Sequence, residues 1–504
     1  MNGSMFIGTW WALVPPLLAI LLAFVTKEVY SSLFIGSAVG VLLYTGFHPW
    51  DAFTSFFEIL RNSMNINILI FDILLGMVVV LMAKSGGSAA YGKWAGTKIK
   101  TKRSALLATM GLGVLIFVDD YFNCLTVGPV TDSHKVSRAK LAYIIDSTAA
   151  PICIIAPISS WAAAVNSYVP ADAGISGFQL FLRTIPYNLY AILTIAMVFY
   201  ICYTGFDFGQ MKLHEDNAAK GDLFTTGGEE FEQVSEQEVN PNGKVIDLVL
   251  PVAVLIVSAI GAMVYTGFLG GADNVISAFA GCDAETSLIF ASVVTILFMM
   301  ALYLPRKVIT FKSFMDSLSE GFKLMVPAVT ILVFAWTLKG VGDAMGLAQF
   351  VGSVVGDHAS ASIFIPVVLF AVAVFLSFST GTSWGTFAIL VPIATGMFAA
   401  GTNLEMMIIS VSAVLAGAVC GDHISPISDT TVMSSAGAQS NHLNHVSTQM
   451  QYAAVTACVC LVGYLIAAVT RTWWITLGVS LLLLLAVLTG MRRFCAKKAE
   501  NGKK

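Results

Sequence analysis

Long apolar runs dominate this chain of 504 residues and constrain its fold more than any other feature. Each run has about 15–25 residues, close to the ~20 that a helix needs to cross a hydrocarbon core of ~30 Å. Inside lipid the backbone must satisfy its own hydrogen bonds, which leaves helices and closed barrels. The runs lack the alternation of barrel strands. With 57% hydrophobic and 11% charged residues, the sequence predicts an all-α polytopic membrane protein.

Clusters of lysine and arginine orient the predicted helices. Four such clusters lie at 93–103, 135–140, 306–312 and 492–498, and the positive-inside rule assigns all of them to the cytoplasm. The first apolar run, 10–25, has neither a basic start nor a cleavage-site pattern, so we expect it to be retained as a helix. These constraints predict eleven spanning helices and two re-entrant hairpins, with the N-terminus outside and the C-terminus inside.

The apolar segment at 104–130 is too short to cross the membrane twice. It begins and ends beside cytoplasmic clusters and is interrupted by "FVDDYFN" (117–123). About 15 residues lead to the two aspartates and about 10 follow them, whereas each crossing needs ~20. We therefore predict a re-entrant hairpin with Asp119 and Asp120 at its tip. Such a tip must be buried in protein or line an aqueous cavity.

The second half of the chain repeats the first. The matching pairs are "FVDDYFNCLTVGPV" (117–130) with "TGTSWGTFAILVPI" (380–393), "APICIIAPISSWAA" (150–163) with "SPISDTTVMSSAGA" (425–438), and "LMAKSGG" (81–87) with "WTLKGVG" (336–342). Three matches in one order indicate a duplication. Because the basic loops give the halves opposite orientations, the sequence predicts the inverted repeats of a secondary transporter.

The repeats define a predicted domain organisation. The first repeat covers 1–205, with scaffold helices at 9–84, a hairpin at 104–130, a broken helix at 141–165 and a helix at 178–203. A cytoplasmic linker at 206–244 follows, with nine Asp or Glu residues against three Lys. The second repeat covers 245–470, with a hairpin at 361–400 and a broken helix at 405–440. The final helix and a basic cytoplasmic tail occupy 471–504.

Two polar segments interrupt apolar runs at equivalent positions of the repeats. "GDHISPISDTT" (421–431) combines a proline, a glycine and several hydroxyls, and its counterpart "DSTAAPICIIAPISS" (146–160) contains two prolines. Both compositions favour non-helical backbone. The freed carbonyls and the side-chain oxygens suit a hard monovalent cation, and half-helix ends supply partial charge. We expect the two breaks to form one site near the membrane midplane.

The predicted ion or substrate site draws on polar side chains from both repeats. They are Asp119, Asp120, Asn123, Asp146, Ser147, Thr148, Ser159, Thr382, Ser383, Thr386, Asp422, Ser425, Ser428, Asp429 and Thr430. The predicted sodium ligands among them are Asp120, Asp146, Asp422 and Asp429. Asp119 and Asp120 could instead cap the turn between two half-helices. Asp422 and Asp429 could be hydrogen-bonded structural anchors of their break, and His423 could be either a proton shuttle or a structural residue. His442 and His445 lack a third zinc ligand nearby and are interpreted as part of a loop or helix cap.

Four segments resemble the NhaC-type Na+/H+ antiporters, within a wider ion-transporter superfamily that includes divalent-anion/sodium symporters. They are "VDDYFN" (118–123), "SRAKLAYIIDSTAAPICIIAPISSWAA" (137–163), "SFSTGTSWGTFAILVPIA" (377–394) and "CGDHISPISDTTVMSSAGAQSNHLNHVSTQMQYA" (420–453). The similarity extends over nearly the whole chain. The resemblance implies a scaffold domain, a transport domain with two re-entrant hairpins, a homodimer, and an elevator-like movement.

Three classes of function can be compared on this basis. Several carboxylates, with no arginine at the predicted tips, favour exchange of Na+ for H+. The hydroxyl-rich "STGTS" (379–383) would instead suit a small carboxylate or an amino acid. The family that the chain resembles also includes malate/lactate exchangers. A membrane enzyme or channel is disfavoured, since the sequence has no nucleotide-binding loop, GxSxG or HExxH. We predict a Na+/H+ antiporter of a bacterial plasma membrane, with no cofactor and no nucleic-acid partner.

Overall fold

The computed structural model is all-helical in the part of the chain that it describes. It describes residues 5–26, 28–87, 90, 100–115, 117, 134–169, 174–225, 243–275, 278, 282–347, 350, 361–398, 403–426 and 428–501. These residues form α-helices and short 3-10 turns and include no β-strand.

Eleven α-helices lie in the described residues of the first half and its linker. They are α1 (Val14–Thr26), α2 (Val29–Tyr44), α3 (Pro49–Ser63), α4 (Ile66–Lys84), α5 (Lys102–Leu115), α6 (Arg138–Ser147), α7 (Ala150–Cys153), α8 (Ser160–Tyr168), α9 (Gly177–Thr184), α10 (Leu189–Thr204) and α11 (Gly209–Ala219). Short 3-10 turns at Trp10–Leu13 and Ile185–Tyr187 precede α1 and α10.

Nine further α-helices lie in the described residues of the second half. They are α12 (Ile246–Leu269), α13 (Ala284–Tyr303), α14 (Phe311–Ala344), α15 (Ile365–Thr380), α16 (Ser383–Gly396), α17 (Leu404–Ile424), α18 (Asp429–Gly437), α19 (His442–Thr470) and α20 (Trp473–Asn501). A 3-10 turn at Ala361–Phe364 precedes α15.

Seven helices of the described chain are long and apolar enough to cross a membrane. They are Ile66–Lys84, Ile246–Leu269, Glu285–Tyr303, Leu404–Ile424, His442–Thr470, Trp473–Cys495 and the segment Leu189–Ala219, which comprises α10 and α11. An eighth is Phe311–Ala344, if the two parts on either side of its 44° bend form one span. Shorter apolar helices lie at Trp10–Ala19, Tyr30–Tyr44, Ile365–Thr380 and Ser383–Gly396. The polytopic all-α class is thereby confirmed, whereas the count of eleven spans and two re-entrant hairpins stays a prediction.

The helices pack as two sets. In the first set, α1 to α4 pack with α12, α13 and α14. In the second set, α17 is buried along nearly its whole length, where it contacts α10, α15, α16 and α19. The sets meet where α14 contacts α16, α1 contacts α15, and α4 contacts α8. The break after α17 therefore lies within the second set.

Local chemistry explains where these helices end. Gly381, between α15 and α16, has a left-handed backbone with φ of 67° and donates its N–H to the Ser377 carbonyl at 2.8 Å. Glycine adopts this conformation without a Cβ clash. Ser425, at the end of α17, is extended, with φ of −80° and ψ of 128°. It precedes Pro426, whose ring disfavours a helical residue before it.

One predicted helix differs from the structure. We predicted a single helix at 178–203, but α9 and α10 are separated by the 3-10 turn Ile185–Tyr187. Pro186 lacks an N–H, which permits a break there. Asn188 then caps α10, because its side chain accepts a hydrogen bond from the Ala191 N–H at 3.4 Å. The predicted linker at 206–244 is not entirely irregular, since it contains helix α11.

Candidate functional site

A buried carboxylate lies at the first helix break. Asp146 is the penultimate residue of α6 and is fully buried. Its Oδ2 accepts hydrogen bonds from His445 Nε2 at 3.1 Å and from Gln449 Nε2 at 2.6 Å. Its Oδ1 is buried and has no hydrogen-bond partner among the described residues. Because buried polar atoms are almost always paired, this orphan oxygen marks a place where a cation, a proton or a water can bind.

The second helix break meets the first at His423. This histidine is in the last turn of α17, and its Nδ1 lies 2.8 Å from the Tyr190 hydroxyl. Its Nε2 lies 3.3 Å from the Ser147 hydroxyl and 4.0 Å from Asp146 Oδ2. Its main-chain carbonyl accepts a hydrogen bond from the Gln449 amide. The structure thus brings the two predicted breaks together around Asp146 and His423.

Asp422 ties the second break to the start of α16. Its Oδ2 accepts a hydrogen bond from the Ser383 hydroxyl at 2.9 Å, and that hydroxyl also lies 3.2 Å from the Ala418 carbonyl. Ser425 donates to the Phe378 carbonyl, in the last turn of α15, at 2.7 Å. The break after α17 is therefore bonded to both helices that flank Gly381.

Other predicted site residues form hydrogen bonds close to their own position in the chain. Ser159 and Thr382 cap α8 and α16 by accepting from the N–H groups of Ala162 and Gly385. Thr148 donates to the Ile144 carbonyl at 2.8 Å, Thr386 donates to the Thr382 carbonyl at 3.0 Å, and the Ser428 and Thr430 hydroxyls lie 3.0 Å apart. For Ser159, Thr382 and Thr386 these bonds agree with a structural role, since each satisfies a helix end or a helical carbonyl.

Four predicted site residues have side chains outside the described part of the structure. Asp119, Asp120 and Asn123 lie outside the described residues, and so does the side chain of Asp429. Their part in the site stays a prediction.

Sequence reasoning missed three residues of the site. His445 and Gln449 hold Asp146 and are four residues apart on α19, so they share one helix face. Tyr190 holds His423 from α10. Our interpretation of His445 as part of a loop or helix cap is wrong, because it is buried in the second turn of α19. His442 does begin that helix, and its Nε2 lies 2.7 Å from the Pro426 carbonyl.

The two breaks supply oxygen atoms that can coordinate a cation. Among the described residues, no group of three or more His, Cys, Asp and Glu side chains is placed to hold a metal ion. A cation here would be coordinated by aspartate oxygens together with hydroxyl and carbonyl oxygens, which interrupted membrane helices provide. Asp146 Oδ1 has no hydrogen-bond partner among the described residues, and Ser147 and Asp422 supply further oxygens at the two breaks.

A buried carboxylate between interrupted helices, within a bundle of membrane-length apolar helices, is typical of membrane transport proteins. Sequence comparison agrees with this class. Residues 131–469 match the profile of the Na+/H+ antiporter family, and the chain belongs to that family. The predicted NhaC-type resemblance is confirmed, and the protein is a multi-pass membrane transporter.

Individual relatives give further detail. An uncharacterised protein of Haemophilus influenzae is 37% identical over 498 residues, which are 92% of this chain and 92% of that protein. The malate-2H+/Na+-lactate antiporter of Bacillus subtilis is 32% identical over 151 residues, 30% of this chain and 31% of its own. An uncharacterised Na+/H+ antiporter of H. influenzae is 32% identical over 137 residues, 26% of this chain and 28% of its own. The solved YdaH transporter of Alcanivorax borkumensis aligns over 86% of this chain and 90% of its own, with 14% identity and a TM-score of 0.49.

Proposed function

We propose that this protein is a Na+/H+ antiporter of a bacterial plasma membrane, which exchanges the two ions by alternating access. The observation that carries the proposal is the fully buried Asp146 carboxylate, whose Oδ2 holds two hydrogen bonds while its Oδ1 has none among the described residues. Family membership supports the same choice of ions.

The geometry supports a site that holds either a proton or a sodium ion. His445 and Gln449 fix the Asp146 carboxyl group through Oδ2, so Oδ1 keeps a defined direction. A proton and Na+ would compete for this oxygen. Because an empty ionised carboxylate is costly inside a membrane, the loaded forms of the site are the mobile ones. This competition would couple the two fluxes.

The charges around the site favour a cation over an organic anion. Within the described chain, no lysine or arginine forms an ion pair with Asp146. The two buried basic residues of α6 bind other groups. Arg138 donates a hydrogen bond to the Ala438 carbonyl at 3.0 Å, and Lys140 forms an ion pair with Asp207 at 2.7 Å. A carboxylate substrate would lack the fixed positive charge that recognises it most strongly.

The test is transport in proteoliposomes that carry a pH-sensitive dye and an imposed Na+ gradient. Wild-type protein should alkalinise or acidify the lumen according to the direction of the gradient, and Asp146→Asn should abolish the signal. Asp216→Asn is the matched control, because Asp216 is exposed and pairs only with Lys212 in the described chain. Exchange by Asp146→Asn at the wild-type rate would refute the assignment of the site.

The alternative is a coupled transporter or exchanger of a small carboxylate or an amino acid. The similarity to a malate-2H+/Na+-lactate antiporter over 151 residues favours this alternative. The same proteoliposomes can be supplied with malate, lactate and single amino acids. If ion movement requires one of these compounds in every condition, the alternative replaces simple Na+/H+ exchange. The dimeric assembly stays a prediction that chemical cross-linking in membranes can test.

A further inference from the structure

A second buried polar cluster lies on the same helix as Asp146. Lys140 is buried in α6, with its Nζ 2.7 Å from Asp207 Oδ2 and 3.6 Å from Glu215 Oε2. Glu215 also pairs with Lys102 at 2.7 Å. Asp146 lies six positions after Lys140, which is about 9 Å along a helix. The proposed exchange of ions does not use this cluster, although burying its charges is costly.

The cluster joins α6 to the helix that holds Asp146. Tyr452 of α19 donates a hydrogen bond from its hydroxyl to Asp207 Oδ1 at 3.0 Å. Its ring also stacks on that of Tyr143 of α6, with 4.9 Å between the centroids. Since Tyr452 follows His445 and Gln449 by seven and three residues, all three share one face of α19. That face therefore contacts α6 both at the site and about two turns away from it.

The linker contributes the other half of the cluster. Asp207 precedes α11, and Glu215 lies within it. Glu215 Oε1 accepts a hydrogen bond at 2.8 Å from the N–H of Ser137, the residue that caps α6. The same side chain therefore holds the start of α6 and, through Lys102, the start of α5. The acidic segment between the repeats thus supplies two carboxylates that anchor the helix bearing Asp146.

We propose that Asp207 is a positioning residue of the transport site, through a bridge defined here as Lys140, Asp207 and Tyr452. The bridge fixes the distance and rotation of α6 relative to α19. Asp146 Oδ2 then receives both of its donors, and Oδ1 stays turned toward the ion. This inference rests on the proposed function. It adds that the affinity of the site for Na+ is set partly by residues that never touch the ion.

The first test measures the Na+ concentration for half-maximal exchange in proteoliposomes. Asp207→Asn should raise that concentration severalfold, up to about the tenfold loss seen when direct partners of ligating residues are removed. The maximal rate should change much less, since the ion ligands remain. Asp247→Asn is the matched control, because it removes another fully buried aspartate from an ion pair, here between Asp247 of α12 and the partly exposed Arg306. An unchanged Na+ dependence in Asp207→Asn would overturn the proposal.

A double variant separates positioning from general stability. Removing both charges of a buried pair destabilises a protein far less than removing one. Lys140→Met/Asp207→Asn should therefore unfold near the wild-type temperature while its Na+ affinity stays weak. If affinity recovers together with stability, Asp207 is only structural and the proposal fails.

A third measurement does not depend on transport. Amide hydrogen exchange in the purified full chain should become faster in peptides of both α6 and the start of α19 in Asp207→Asn, but not in α13. If wild-type protein shows no Na+/H+ exchange at all, the proposed function fails, and amide exchange alone decides whether the bridge holds these helices together. Unchanged protection in both peptides would overturn the bridge.

Discussion

Asp146 receives both of its hydrogen bonds on one carboxylate oxygen, and Gln449 provides the shorter of them. The same Gln449 amide donates to the His423 carbonyl, so this side chain links the two helix breaks. Removing it would leave a buried carboxylate with one donor and a buried carbonyl with one donor fewer. Buried groups that lose a partner destabilise a protein by about 1–3 kcal/mol each.

Gln449→Leu should therefore lower the unfolding temperature and weaken Na+ affinity together. Gln451→Leu is the matched control on the same helix, because Gln451 accepts from the Gln210 N–H at a partly exposed position. That change should cost roughly 1 kcal/mol or less and leave the Na+ dependence unaltered. Thermal unfolding and proteoliposome exchange measure the two effects. Equal Na+ affinities in the two variants would contradict a special role for Gln449.

The sequence could identify Asp146 and Asp422 but not the residues that hold Asp146. The aspartates stand in proline-containing polar breaks, a local pattern that needs no partner to be recognised. His445 lies 299 residues from Asp146, and helical spacing shows only that it shares a face with Gln449. The helix that this face contacts is determined by the packing of the whole chain. The spacing of residues along one helix does not contain that information.

The turn between α15 and α16 depends on a single glycine. Gly381 has a left-handed backbone, and Thr382 after it caps α16. A side chain in this conformation costs about 1–2 kcal/mol. Gly381→Ala should lower the unfolding free energy by about that amount. It should also disturb transport, because Ser383, two residues on, is bonded to Asp422.

Gly490 offers the control for this substitution. It lies in α20, is exposed, and has open space where a Cβ would be added. Gly490→Ala should stabilise the helix by roughly 0.5–1 kcal/mol. Thermal unfolding of the purified protein compares the two variants. If Gly381→Ala is as stable as wild type, strain at this turn does not govern the position of Ser383.

Helix positions could be predicted where the chemistry of a break is local. Pro426 and Gly381 mark the ends of α17 and α15 in the sequence itself. The break at Ile185–Tyr187 was missed, although Pro186 lies nine residues into the predicted helix at 178–203, where a proline disrupts helical hydrogen bonding. Helix α11 was also missed. Its buried residues face other helices, whereas its composition is that of a polar linker.

The start of α5, at Lys102, lies next to Lys135, which shortly precedes α6. Lys102 donates to the Lys135 carbonyl at 3.0 Å, so the two ends of the stretch 102–135 are adjacent. This contact supports the predicted re-entrant hairpin. Lys100→Cys and Lys135→Cys, each in a background without other reactive cysteines, should label from the same side of the membrane with an impermeant maleimide. Labelling from opposite sides would remove the hairpin and the inverted repeat that depends on it.

Competition between Na+ and protons for the Asp146 oxygens would couple the transport of Na+ to the transport of protons in the opposite direction. A protonated carboxyl group cannot hold Na+ with the same oxygen, so the apparent affinity for Na+ should weaken as the pH falls. In the pH range where the carboxyl group takes up protons, mass action predicts up to a tenfold loss for each pH unit. The maximal rate should stay nearly constant, because saturating Na+ displaces the proton.

Two variants decide whether Asp146 or a neighbouring histidine carries this dependence. His423→Gln keeps a donor within reach of Ser147 and Tyr190, so the competition should persist in that variant. Asp146→Asn should abolish both exchange and the pH dependence of Na+ binding, because an amide cannot alternate between a proton and a cation. Equilibrium binding of radioactive Na+ to purified protein over a series of pH values measures this without transport. A Na+ affinity that is independent of pH in wild-type protein would defeat the mechanism. Ion movement would then have to be coupled through another group or another substrate, as in exchange of a small carboxylate.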